Sequence, residues 1–341
     1  MSNRGEESRK VQVTGKSTYI VSLPKKWVEA VKLGRGEQIE LIEQDDLSLL
    51  LMPKSVVKEK AKDVEIKISP KDNPNSIIRR VISFYLIGYN LIRVTTKDRF
   101  TPEQREKLKD FIRKKLVGAE IIADSKNEVA LQTLLNYSEL SVENALRRMS
   151  VITTSMHRDA MVALGENDHE LAQTIIQTDD EVDRFSFYII RLLKYAVGDS
   201  RILKEIGLTT TRDCLGFRLI LKSVERAADH ATSIARNILT MKPIDSRLFK
   251  KVSEMSDFAI SIFDESINSL FAKDYKLADE ILMRKEGIET YDAEISKDMA
   301  LADTETRSTL RLIRESIRRL NEYGSDIAEI VLNLTAESTK I

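Results

Sequence analysis

Asp168-His169-Glu170-Leu171-Ala172-Gln173-Thr174-Ile175-Ile176 returns 106 residues later as Asp274-Tyr275-Lys276-Leu277-Ala278-Asp279-Glu280-Ile281-Leu282. In the same frame Met149 falls on Met255 and Leu164 on Leu270. Further along the offset shortens to 97, so that Glu225-Arg226-Ala227-Ala228-Asp229 answers to Glu322-Tyr323-Gly324-Ser325-Asp326. The first copy therefore carries nine extra residues between its second and third segments. Self-similarity at a fixed period marks a supersecondary unit that buries its apolar face against a neighbour. The period inside each unit is helical: Ile175, Val182, Ile189, Ile190 and Leu193 share one face. Breaks near Gly165-Glu166-Asn167, Gly198-Asp199, Gly207, Pro243, Lys273-Asp274 and Asp303-Thr304 divide the chain beyond Leu140 into six helices. These form two copies of three, at 140–243 and 244–341.

Composition agrees with a mainly α chain. In 341 residues there are only 12 Gly and 6 Pro, too few turn formers for many short strands. Lys and Arg equal Asp and Glu at 54 each, which excludes a uniformly basic nucleic-acid binder; any such surface is local. Cys214 stands alone, so a disulfide framework and a cysteine zinc site are both excluded. The longest apolar stretch, Val81 to Ile92, is broken by Gly88 and Asn90 and is too short for a membrane span. The polar start, Met1 to Ser8, reads as a disordered leader without a signal-peptide core, and the expected location is cytoplasmic.

Upstream of the helices lie two smaller zones. Residues 1–54 are strand-like: Val11 to Val13 alternates, and Thr18 to Leu23 is rich in β-branched residues. Pro24 opens a short helix through Trp27 and Val31. A hairpin is predicted around Asp45-Asp46, joining Glu37–Glu43 to Leu47–Met52. Residues 62–137 read as a small α/β module. It has strands at Val64–Ile68, at Leu91–Thr95 and near Ile121 and Val129. Its helices run from Ser76 to Tyr89, with Asn75 as cap, and onward from Thr101-Pro102 to Gly118. Arg79-Arg80 reads as a solvated basic face.

Residues four apart lie about 40° apart on a helix, so Glu225/Asp229 and Glu322/Asp326 can each offer two carboxylates to one point. With 54 acids in the chain, one such pair has little weight. Recurrence at the same place in both copies gives it weight, as do the small residues between the acids. Asp179 and Asp183 also fall inside an apolar stripe, where an unpaired carboxylate is costly. Helices two and three of the first copy are expected to bring Asp179 and Asp183 against Glu225 and Asp229. Four acids in one place repel unless metal or protons neutralise them. All-oxygen ligation points to a hard or borderline cation such as magnesium, manganese or iron. In the second copy Lys285 stands where Asp179 does and only Glu289 matches Asp183; Glu286 and Asp292 are nearby substitutes. His230 reads as a packing or surface histidine.

A duplicated three-helix unit with Glu-x-x-x-Asp in its third helix resembles the PhoU family, and Glu225-Arg226-Ala227-Ala228-Asp229-His230-Ala231 is close to that family's hallmark segment. The resemblance covers Ser141 to Thr335. It implies a phosphate-uptake regulator whose acids bind multinuclear metal clusters, commonly of iron or zinc, with phosphate ABC transporter components or signalling proteins as partners. The implied metal set here is Asp179, Asp183, Glu225 and Asp229, with Glu289, Glu322 and Asp326 in the second copy.

Val11-Gln12-Val13-Thr14-Gly15-Lys16-Ser17-Thr18-Tyr19-Ile20-Val21-Ser22-Leu23-Pro24-Lys25-Lys26-Trp27, followed by Leu33-Gly34-Arg35-Gly36-Glu37, resembles the AbrB/MazE/SpoVT swapped-hairpin family. That family interleaves two chains, which implies a homodimer. Residues 1–35 hold eight Lys or Arg against three acids, and residues 36–54 hold one against five. A basic front with an acidic back suits a phosphate-facing surface. The expected DNA contacts are Arg9, Lys10, Lys16, Lys25 and Lys26, on a pseudo-palindromic site. Gly15-Lys16-Ser17 looks like the end of a phosphate-binding loop, but Lys10 stands where the earlier glycine belongs.

The expected architecture is thus mainly α with a small β N-terminal module: a swapped-hairpin β domain, a small α/β middle module and two repeated three-helix PhoU-type bundles. The expected function is a non-enzymatic, DNA-associated regulator of phosphate uptake, similar to archaeal-type fusions of the two families. The alternative is an adaptor that contacts a phosphate transporter or its signalling partners, with the hairpin serving only to dimerise it. No nucleophile, base and orienting group emerge from three histidines and one cysteine.

Overall fold

The repeat folds as its periodicity requires, in a computed structural model that describes residues 7–15, 17–43, 47–53, 63–134, 140–198, 200–299 and 303–336. The first copy comprises α4 (Val142–Glu166), α5 (His169–Gly198) and α7 (Thr211–Ile238), with a short α6 (Ser200–Glu205) inside its nine extra residues. The second comprises α8 (Ser246–Ala272), α9 (Tyr275–Arg284), α10 (Ile288–Met299) and α11 (Thr304–Thr335). The second helix of this copy is not continuous as expected. A 3-10 turn at Lys285–Gly287 splits it into α9 and α10, where Gly287 lacks a side chain to hold the helix. Asp168 and Asp274, which open the quoted stretch in each copy, hydrogen-bond the backbone of the first turn that follows.

The two copies share one apolar core through α7 against α11 and α4 against α8. Met149 and Met255 are fully buried within it, as are Ala227, Ala228, Ile327 and Ala328. At Gly324 an added Cβ would lie 3.0 Å from the backbone of Phe263, so the small residue permits α8 and α11 to approach closely.

The α/β module carries a four-stranded sheet in the order β5 (Asp63–Ile68), β6 (Leu91–Thr96), β8 (Glu128–Thr133), β7 (Ala119–Asp124). The β5–β6 pair is parallel and the others antiparallel. Helices α2 (Pro74–Leu86) and α3 (Pro102–Lys115) cover it around Val81, Tyr85, Leu108 and Ile112. Asn73 rather than Asn75 caps α2, because Pro74 fits the first helical position. Thr101 and Gln104 close a reciprocal cap on α3.

The chain divides into two compact units, residues 1–61 and 62–341, so the α/β module belongs to one body with the repeats rather than standing alone. The reason is a set of contacts with α5. Arg191, fully buried, donates to the carbonyls of Tyr85 and Tyr89 and, at 2.8 Å, to Asn90 Oδ1. Tyr195 donates to the Gly88 carbonyl at 2.5 Å. Gly88 has φ +96°, and an added Cβ would lie 2.6 Å from the Tyr195 ring, so only glycine serves there.

The N-terminal unit has two separate antiparallel ladders: β1 (Gln12–Thr14) with β2 (Thr18–Ile20), and β3 (Ile39–Glu43) with β4 (Leu49–Pro53). Helix α1 (Lys25–Ala30) lies between them in sequence. The expected Asp45-Asp46 turn and most of the expected leader lie outside the described residues.

Candidate functional site

Asp179, Asp180 and Asp183 occupy the middle of α5, and Glu225 and Asp229 the middle of α7, the two helices packed together within the first repeat. The structure does bring the four expected acids into one electrostatic neighbourhood. Burial, with the charges of Asp183 and Asp229 adding to it, raises the Asp179 carboxyl to about 6. Burial also raises Asp229, with Glu225 and Asp183 adding to it, although its residue still reaches solvent. Among the described residues neither Asp179 nor Asp229 has an ion-pair partner.

Their neighbours do, and sequence reasoning missed the partner. Lys115, the last residue of α3, places Nζ 2.5 Å from Asp180 and 2.7 Å from Asp183. Burial works against this ammonium, but the hydrogen bonds to the two aspartates outweigh it and hold its pKa above the ordinary value. Lys222 pairs with Glu225 at 2.5 Å. Lysines from α3 and α7 thus supply part of the positive charge that four crowded carboxylates require. Among the described residues, no three of His, Cys, Asp and Glu close around one point as metal ligands. Of the four acids, Asp179 and Asp229 are the oxygen donors left without an ion pair among the described residues; Lys115 already pairs Asp183 and Lys222 pairs Glu225.

His230 turns from the acids toward Tyr323 of the other repeat, their rings 5.8 Å apart, in line with a packing role. His157 was not singled out by the sequence. Fully buried under the Ala227-Ala228 pair, it donates Nε2–H to the Ala227 carbonyl at 2.8 Å, and burial lowers it to about 4. It thereby fixes the segment between Glu225 and Asp229.

In the second repeat Glu289, Glu322 and Asp326 line one cavity of about 200 Å³ with Lys285, Glu286 and Arg318. Here two of the acids are paired: Arg318 reaches Glu289 at 3.1 Å and Arg319 reaches Glu322 at 2.7 Å. Burial raises Asp326, helped by Glu329 and Glu322, while Lys285 opposes. Lys285 also pairs with Glu329 at 3.7 Å. Asp292 is taken by Arg314 at 2.5 Å.

On the N-terminal unit Arg9, Lys10, Lys25 and Lys26 are all exposed; Lys16 lies outside the described residues. Arg9 pairs with Glu7, and Lys25 lies 3.7 Å from Glu29. Lys10 and Lys26 have no ion pair among the described residues.

A family profile described as the PhoU domain matches residues 146–238 and 252–331, the two copies found above. The chain belongs to the PhoU family. A second profile, for the antidote-toxin recognition protein MazE, a bacterial antitoxin, matches residues 12–59. Curated relatives include phosphate-specific transport system accessory protein PhoU homologs. That of Xylella fastidiosa is 25% identical over 38% of this chain and 54% of its own length. That of Borreliella burgdorferi is 28% identical over 34% and 54%. That of Caulobacter vibrioides is 22% identical over 56% and 85%. The chain thus spans about half the length of the first two. Crystal structures of PhoU from Streptococcus pneumoniae and Pseudomonas aeruginosa share the fold, each with a TM-score of 0.50. Their identities are 19% and 20%; they cover 59% and 58% of this chain and 96% of their own.

Proposed function

We propose that this chain is a non-enzymatic, DNA-binding regulator of phosphate uptake, in which a cation-binding PhoU module is coupled to a dimeric MazE-like hairpin module. The observation that carries the reading is the pairing of a MazE-type module, bearing exposed cations, with two PhoU-type repeats in one chain. The relatives' names supply the phosphate-transport context.

The exposure of the N-terminal unit supports a homodimer. Among its described residues only Pro53 is buried, and Val13 and Tyr19 are 62% and 75% exposed. A unit of this size without a core of its own needs a partner to cover its apolar side chains and strand edges. A second copy does this while doubling the basic face formed by Arg9, Lys10, Lys16, Lys25 and Lys26, and the two-fold favours a pseudo-palindromic duplex.

In the first repeat, Asp179, Asp183, Glu225 and Asp229 would hold the cation: iron, zinc, manganese or magnesium. It would supply the counter-charge that Asp179 and Asp229 have from no ion-pair partner among the described residues, while Lys115 pairs Asp183 and Lys222 pairs Glu225. No membrane insertion is part of this reading; among the described residues no helix is long and apolar enough to cross a membrane.

A duplex titration of the full chain at several salt concentrations tests the DNA arm. Log affinity falls with log salt by about 0.9 per phosphate contact. Lys25→Ala/Lys26→Ala removes up to four contacts from a dimer and flattens the slope by up to about 3.6. Absence of duplex binding by wild type at low salt transfers the function to the adaptor reading, in which protein contacts with transporter components replace DNA.

A further inference from the structure

Helix α11 carries Arg307, Arg311, Arg314 and Arg318, a stripe repeating every three or four residues. With Ser296 of α10 and Ser308, they line a cleft of about 900 Å³ on the second repeat. At the offset of 97, the same positions in the first repeat are Thr210, Cys214, Phe217 and Leu221. There Cys214, Phe217 and Leu221 are buried, in one apolar cluster with Ile202, Leu203 and Ile206 from the inserted α6 region. The second repeat lacks that insertion. Its matching helix face is open, and all four positions have become arginine.

Loss of cover alone calls for polar residues of any kind. Four guanidinium groups at this spacing repel one another and destabilise the helix. Two are partly neutralised: Arg314 by Asp292 at 2.5 Å and Arg318 by Glu289 at 3.1 Å. Arg307 donates to the Met299 carbonyl at 3.2 Å. Arg311, exposed in the middle of the stripe, has no partner among the described residues.

We propose that this cleft binds a small oligophosphate anion. The lining cations are all arginine, whose planar fork binds phosphate oxygens in pairs. The Ser308 hydroxyl adds a donor, whereas that of Ser296 is already given to the Asp292 carbonyl at 2.9 Å. Among the described residues no aromatic ring lines the cleft, so none of them would stack on a nucleobase. Its length, about 16 Å from Arg307 to Arg318 at the helical rise, exceeds one orthophosphate and suits a chain of phosphates. Asp292 and Glu315 also lie in the lining, but each is paired within the chain, with Arg314 and with Arg319 at 3.0 Å. The proposal is independent of the carboxylate site in the first repeat and of DNA binding.

Calorimetric titration of the full chain with tripolyphosphate, orthophosphate and a hexaglutamate peptide at about 0.15 M salt, near physiological ionic strength, tests it. The expected result is saturable tripolyphosphate binding, with orthophosphate and the peptide much weaker. Arg311→Ala breaks no contact within the chain and should weaken tripolyphosphate binding about tenfold. Lys276→Ala, on the same repeat but outside the cleft, should leave it unchanged. Absence of tripolyphosphate binding, equal binding by Arg311→Ala and wild type, or equal response to the peptide overturns the proposal.

Discussion

In the first repeat Asp179 and Asp229 lie near each other with no ion-pair partner among the described residues, and burial raises both. In the second, Glu289 and Glu322 are held at 3.1 and 2.7 Å by Arg318 and Arg319. The helices and the Glu-x-x-x-Asp spacing are shared; the source of the compensating charge is not. The second repeat pairs Glu289 and Glu322 from its own third helix, while Asp326, raised by burial, has no ion pair among the described residues. The first draws on Lys115 of the α/β module beside Lys222 of its own third helix, and both Asp179 and Asp229 are without an ion pair among the described residues. The contrast extends to the backbone. The first repeat keeps α5 continuous and receives the α/β module on it, whereas the second breaks the equivalent helix at Lys285–Gly287.

The largest expected effect probes that asymmetry in packing. Arg191 ties α5 to the α/β module through acceptors on Tyr85, Tyr89 and Asn90. Arg191→Met retains bulk but leaves those acceptors without their donor, and should cost about 3 kcal/mol. Urea unfolding followed by circular dichroism measures it. A loss below about 0.5 kcal/mol, the size of an ordinary surface change, would mean that the module does not depend on this repeat.

A smaller effect probes the electrostatics. The folded pKa of Asp179, about 6, lies above its ordinary value of 3.8, so the folded state holds the extra proton between these pH values. That contribution is complete below pH about 4 and is lost as pH rises through about 6. Without divalent cation, Asp179→Asn should flatten this fall. At pH 7 it should stabilise the chain by about 1 kcal/mol, the shift being discounted for solvent screening of a half-buried group. Thermal melts across pH 4 to 8 with chelator present decide it; an unchanged slope would mean that Asp179 is relaxed in the fold. The corresponding change Lys285→Asn in the second repeat should produce no such gain.

The helical repeat was legible because its apolar period and offsets survive divergence: Met149 and Met255, matched by sequence alone, are both fully buried. Asp179 and Asp183 stood out as carboxylates inside an apolar stripe, and Glu225 and Asp229 through their recurrence as Glu322 and Asp326. Lys115 was not. Arg113-Lys114-Lys115 reads as an ordinary basic helix end, and only a contact 68 residues away distinguishes the last of them. Arg191 did leave a signal, a charge set among Ile189, Ile190, Leu192 and Leu193, but its acceptors are backbone carbonyls, which no side-chain pattern reveals. The split between α9 and α10 was hidden because Lys285 and Glu286 favour a helix, and Gly287 alone marks the turn. The N-terminal strands were visible from alternation, whereas their exposure on a single chain emerges only in three dimensions.

The central proposal is that the first repeat holds a cation more firmly than the second. Elemental analysis of the purified full chain, loaded with manganese or iron and then challenged with chelator, tests it most directly. The account predicts metal retained at a single repeat's worth per chain in wild type. Retention should be abolished in Asp179→Ala/Asp229→Ala and unchanged in Glu322→Ala/Asp326→Ala. Equal metal content in wild type and the Asp179→Ala/Asp229→Ala variant would contradict it.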